Sequence, residues 1–97
     1  MWFELVLAPK AVEDLRRLRA NIRTEVRTAI ETHVRHEPRK ASRNRIKRLR
    51  GVSRPQLRLR VGDVRVFYDV SERVVEILAI VAKSEAESWL AQFKSPA

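Results

Sequence analysis

The sequence predicts a single α+β domain spanning residues 1–97. About four strands and an N-terminal helical hairpin follow one another in the order β-α-α-β-β-β-α. Three observations predict it. The stretch Leu57 to Val70, L-R-L-R-V-G-D-V-R-V-F-Y-D-V, alternates apolar and polar residues on both sides of Gly62-Asp63, as two half-buried strands joined by a tight turn would. Apolar residues recur at helical spacing between Pro9 and Pro38, with a break near Ala20-Asn21. The run Val74 to Ala82 is apolar at nearly every position and is strand-sized.

Each element follows from its residues. In W-F-E-L-V-L-A, residues 2–8, alternation sends Phe3, Leu5 and Leu7 inward and Glu4 outward, giving a first strand. Pro9 suits the first turn of a helix, where its missing N–H costs nothing. Val12, Leu15 and Leu18, with Ala11, form that helix's apolar stripe, and Glu13 and Asp14 sit near its positive N-terminal end. Asn21 is placed to cap a second helix carrying Ile22, Val26, Ala29, Ile30, His33 and Val34 at helical spacing. Glu37-Pro38 ends it, because a residue before proline avoids the helical region. Residues 39–55 show weak periodicity and many charges, so they read as a long loop with one structured turn around Ile46 and Leu49.

A two-residue Gly62-Asp63 loop pairs Val61 with Val64, Arg60 with Arg65, Leu59 with Val66 and Arg58 with Phe67. One face then carries Leu57, Leu59, Val61, Val64, Val66 and Tyr68, a core surface. The other carries Arg58, Arg60 and Arg65 beside Phe67 and Asp69. Ser71-Glu72-Arg73 turns the chain into Val74–Ala82, placed centrally by its continuous apolar character. The tail, residues 84–93, reads as a short amphipathic helix with Ser84 as cap and Glu87 three residues on.

The hydrophobic content of 44% supplies a core despite 34% charged residues. The absence of cysteine excludes disulfides and thiolate zinc sites. Two histidines without clustered carboxylates make no metal site, and no cofactor motif occurs. No apolar run approaches the roughly 18 residues of a membrane span, and the N-terminus lacks a signal-peptide layout, so a soluble cytoplasmic protein is expected. The net charge of +9 is localised. Twelve of the 21 Lys/Arg and two of the 12 acids lie between Arg35 and Arg65, a balance of +10 against −1 elsewhere. Such concentration suits a polyanion-binding footprint.

The candidate binding groups follow. Like charges directly across a ladder destabilise a sheet, so three arginines on one face call for an anionic ligand. Guanidinium groups stay charged and hold phosphate through paired hydrogen bonds. Arg43, Arg45, Lys47, Arg48 and Arg50 in the basic stretch add sequence-independent phosphate contacts. Phe67, on the parity of the arginines, has two placements open: stacking on a base or packing beneath the C-terminal helix. His33 falls on the apolar stripe and reads as a packing residue. His36 complements the helix C-terminus, and Tyr68 belongs to the core.

Four stretches carry a family likeness: A-x-x-D-L-x-x-L at Ala11 to Leu18, K-R-L-R-G at Lys47 to Gly51, the Leu57–Val70 hairpin, and the apolar strand reaching Ala82-Lys83. Together they resemble the RelE/ParE superfamily of toxins from type II toxin–antitoxin modules. The resemblance implies an antiparallel sheet packed on the helical hairpin, and a cognate antitoxin whose extended segment covers the basic groove. It also implies a ribosome-dependent endoribonuclease that cuts mRNA, with Arg65 at the scissile phosphate, Arg58 where relatives carry a catalytic lysine, and Arg60 one strand step further. Ser84 stands where the family's C-terminal arginine is expected, leaving Lys83 as its stand-in, and Trp89-Leu90 replace a tyrosine or histidine. ParE-type relatives, which poison DNA gyrase, do not need that set. Gyrase inhibition and an inactive RNA-binding role are therefore the alternatives.

Overall fold

A computed structural model describes residues 2–94. The elements are β1 (Glu4–Leu7), α1 (Pro9–Arg17), α2 (Ala20–Ala29) continued by a π-helical turn (Ile30–Val34), β2 (Ile46–Arg48), β3 (Leu57–Val61), β4 (Val64–Ser71), β5 (Val74–Ala82) and α3 (Lys83–Ala91). The α+β class and the helical hairpin are as expected. The sheet has five strands rather than about four, in the order β1-β5-β4-β3-β2. It is mixed rather than antiparallel, because β1 runs parallel to β5, with Leu5 opposite Val75.

The hairpin register is the expected one, from Val61 opposite Val64 to Arg58 opposite Phe67. Gly62 sits at φ +56 in its turn, where a Cβ would be strained. Leu57, Leu59, Val64, Val66 and Tyr68 meet Ala11, Leu15, Val26, Ile30 and Val34 of the helices in the main core. Tyr68 is fully buried, and its hydroxyl donates to the Pro38 carbonyl at 2.7 Å, fastening the end of the helical segment to the sheet. Asp14 of α1 accepts from the Ile80 backbone N–H at 2.9 Å, so the first helix is pinned to β5. Val12, expected in the apolar stripe, is 42% exposed.

The additional strand lies inside the basic stretch. Ile46, Lys47 and Arg48 pair with Leu59, Arg58 and Leu57, and only Ile46 reaches the core. Ser42 shapes its entry: its hydroxyl oxygen accepts from the N–H groups of Arg45 and Ile46, both at 3.1 Å. A three-residue, charged edge strand offers little to a foreign strand. Neither expected cap forms. Arg19 occupies the N-cap position of α2 with extended backbone, placing Asn21 inside the first turn. Strand β5 runs straight into α3 with Ala82 at its cap, so Ser84 also lies within the helix.

The second sheet face is covered over half its width. Helix α3 crosses β4 and β5 with Ala86, Trp89 and Leu90 against Phe67, Ala79 and Val81. Trp89 stacks on Phe67 with ring centroids 4.9 Å apart, and Phe93 tilts against Trp89 at the same spacing. Leu49, just after β2, packs into the same cluster, while Lys47 of β2 and Arg60 of β3 are exposed.

Candidate nucleic-acid interface

Alternation and register assemble the site on this face. Lys47 of β2 stands opposite Arg58 of β3, and Arg58 opposite Phe67 of β4. One row on, Arg60 faces Arg65, which faces Val81. The Arg60 N–H donates to the Arg45 carbonyl at 2.8 Å, extending this row to the sheet edge. Lys83 follows β5 beside the hairpin turn, its N–H donating to the Asp63 carbonyl at 2.7 Å. Lys47, Arg58, Arg60 and Arg65 are thus gathered on one face, with Arg45 and Lys83 at its borders. Arg48 pairs with Leu57 and so takes the opposite parity at the edge, while Arg43 and Arg50 lie outside the strands as exposed residues.

Arg65 is not placed as expected, and Phe67 takes one of the two placements open to it. Arg65 does not project from the polar face: it is 8% exposed, and its Nη1 donates to the carbonyls of Gly62 at 2.8 Å and Val64 at 3.1 Å. Its strand partner Val81 is itself buried in the cluster that packs on α3. Phe67 takes the second of its two placements, fully buried under Trp89 with no ring face left for a base.

Arg58 is the group under tension. It is half-buried, and its Nε is shielded from solvent without a hydrogen-bond partner. Burial first, then the charges of Arg65 and Arg60, hold its guanidinium below the ordinary arginine value. The nearest carboxylates along the strands are already engaged. Arg54 bonds Asp69 at 3.0 Å and Glu76 at 3.2 Å, and Asp69 also accepts from the Gln56 N–H at 2.8 Å. Among the described residues, no carboxylate lies within ion-pair distance of Arg43, Arg45, Lys47, Arg48, Arg50, Arg58, Arg60, Arg65 or Lys83. Basic side chains elsewhere do find acids: Lys10 with Asp14, Arg35 with Glu31, Lys40 with Glu37.

This arrangement can bind phosphates and stabilise negative charge developing on one. A proton acceptor is a different matter. Tyr68 is buried, and desolvation pushes its hydroxyl pKa far up. His33 lies on the π-helical turn and His36 in the bend just after it, in a cleft with Arg45 that the sequence pattern did not single out. Among the described residues no group of three His, Cys, Asp or Glu stands together as a metal site, and no helix is long and apolar enough to cross a membrane.

Solved structures with a similar architecture include RelE toxins. The archaeal RelE of the Methanococcus jannaschii RelB-RelE complex superposes with a TM-score of 0.68 at 19% identity, covering 87% of this chain and 96% of that one. The RelE-RelB complex of Pyrococcus horikoshii gives 0.69 at 22% identity, covering 86% and 97%. A free-state arginine double mutant of Escherichia coli RelE gives 0.70 at 23%, covering 92% of each chain. At these identities the likeness establishes the fold. No curated protein matches the sequence. The family model described as "ParE toxin of type II toxin-antitoxin system, parDE" matches residues 5–87, from the first strand into the last helix. The chain therefore belongs to the ParE toxin family of type II toxin–antitoxin systems, within the RelE/ParE superfamily.

Proposed function

We propose that this toxin arrests translation by binding mRNA on the ribosome through its open sheet face and cleaving it there. The observation that carries this reading is Arg58, held among like charges with a buried, unpartnered Nε and no carboxylate in reach. Lys47, Arg58 and Arg60 take backbone phosphates, with Arg43, Arg45, Arg48 and Arg50 extending the track. In cleavage the substrate's 2′-oxygen attacks phosphorus as its proton passes to water, and the P–O5′ bond breaks. Guanidinium donors at Arg58 and Arg60 stabilise the charge on the phosphorane, and Lys83 gives a proton to the leaving 5′-oxygen. Arg65 acts from behind, fixing the turn and adding positive potential. The cytoplasm is the place of action, and a cognate antitoxin neutralises the face by laying acidic or extended chain over it, as the solved RelB complexes of similar toxins suggest.

One observation favours a second reading. Among the described residues the carboxylates on this face, Asp69 and Glu76, are engaged by Arg54, and Tyr68 is buried. The matching family model is named for parDE, so inhibition of DNA gyrase without RNA chemistry is the alternative. Primer extension on an mRNA in a cell-free translation reaction separates the two. New 3′ ends that require ribosomes and disappear with Arg58→Gln support cleavage. Intact message together with loss of gyrase supercoiling would overturn it.

A further inference from the structure

The basic face does not end at the edge of the sheet. Between the end of the π-helical turn and β2 lies a cleft of about 260 Å³, lined by His33, His36, Glu37, Lys40, Ser42 and Arg45 among others. That is just below the roughly 300 Å³ at which pockets begin to accept drug-sized ligands, and is a size for one nucleotide or less. Both histidines of the chain meet here. Arg45 joins the cleft to the sheet face, because its carbonyl accepts the Arg60 N–H at 2.8 Å while the residue lines the cleft wall. Its position is fixed by Ser42, whose hydroxyl oxygen accepts from the Arg45 N–H at 3.1 Å. Lys40 is balanced by Glu37 at 3.7 Å, but Arg45 has no acid within ion-pair distance among the described residues.

We infer that this cleft is a second phosphodiester-binding subsite, which takes the next nucleotide of a single-stranded RNA as the strand leaves Arg60 and turns over edge strand β2, with Arg45 and His33 as its phosphate contacts. The inference rests on the reading that the sheet face takes RNA. Two features support it. A strand following the arginine row meets Arg45 first, so the path is continuous in charge. His33 is partly buried, and burial and then the Arg45 charge hold its imidazole below the ordinary value near 6.5. A phosphate placed between the two offsets both penalties, so binding draws a proton onto His33. The charged groups facing His33 are Arg45 from the entry to β2; His36, Glu37 and Lys40 from the segment after the helix; and Glu25 of α2, which lines the adjoining groove.

The experiment is a proton NMR titration of the free toxin, following the His33 Cε1–H resonance (assigned by its loss in His33→Gln). The probe is the dinucleotide uridylyl-uridine, whose phosphodiester does not titrate near neutrality; dimethyl phosphate is the bare-anion control. The expected result is a saturable shift of His33 with the dinucleotide, retained in Arg58→Gln and lost in Arg45→Gln, an exposed position whose replacement leaves the remaining spectrum in place. Affinity should rise as pH falls, by up to about tenfold for each unit that binding raises the His33 pKa. No His33 shift, or the same shift in Arg45→Gln, overturns the inference. Equal response to dimethyl phosphate overturns its RNA character and leaves a free-anion site. The assay contains neither ribosomes nor gyrase, so a toxin that fails to cut mRNA yet shows the shift refutes the cleavage reading and keeps the subsite.

Discussion

Replacing Arg58 by methionine should make the protein more stable and a poorer ligand for RNA. Methionine preserves an unbranched stem beside the Phe67–Trp89 cluster while removing the charge and the buried, unpartnered Nε. A fully buried donor without a partner costs about 1–3 kcal/mol. Arg58 is half-buried, and the repulsion from Arg60 and Arg65 is screened by solvent, so the lower end applies: relief of about 1 kcal/mol. For a domain of this size that raises Tm by roughly 4–8 °C. Removing one phosphate contact should also lower the slope of log affinity against log salt by about 0.7 for a single strand. Thermal unfolding by circular dichroism and fluorescence anisotropy with a labelled oligoribonucleotide at several salt concentrations measure both. A variant with a lower Tm would refute the reasoning, since Arg58 would then be a structural residue. An unchanged salt slope would remove it from the interface.

Two further outcomes are expected. Tyr68→Phe deletes the donor to the buried Pro38 carbonyl and should lower stability by about 1–2 kcal/mol, read as a reduced urea midpoint at unchanged m-value; an unchanged midpoint would mean the tie carries no energy. His33 gives a pH dependence whose sign follows from burial. Its folded pKa lies below the unfolded one, so the unfolded chain takes up the proton first. Stability should be full above the ordinary value near 6.5 and decline as pH falls from there toward the folded pKa, a decline absent in His33→Gln. Glu31, whose pKa is lowered chiefly by its hydrogen bond to Arg35, acts in a separate window: its contribution is present above its ordinary value near 4.5 and lost as pH falls through the folded pKa. Urea unfolding between pH 7.5 and 5.5 therefore isolates His33.

What was legible in the sequence is what local pattern encodes. The Leu57–Val70 register follows from strict alternation around a two-residue turn, because a slip of one residue would turn the core face outward. Strand β5 was legible for its continuous apolar run, and its place between β1 and β4 explains that run. Strand β2 was not, since only Ile46 of its three residues faces the core and the strand exists through pairing with β3. The direction of β1 was equally hidden: alternation reports which face is buried, not which neighbour the strand joins. Arg65 and Phe67 were assigned to the correct face, but whether that face meets solvent depends on where α3 lies. The caps at Asn21 and Ser84 failed because both helices start earlier, from an extended residue that leads directly into the first turn. The histidine cleft carries no motif, its residues being brought together by the π-helical turn and the Ser42 bend.

The parallel pairing of β1 with β5 sets the order of events during synthesis. Leu5 and Val75 are partners separated by 70 residues, whereas β3, β4 and β5 are joined by tight turns. Local pairings close cheaply and early; distant ones wait for loop-closure entropy to be met. A chain emerging from the ribosome therefore holds its first strand and helical hairpin without a partner until residues 74–82 are out. The strands that carry the arginines, β2 to β4, pair among themselves and need not wait for that closure. The arginine-bearing hairpin is thus the first part of the sheet to close and β1 the last to join it.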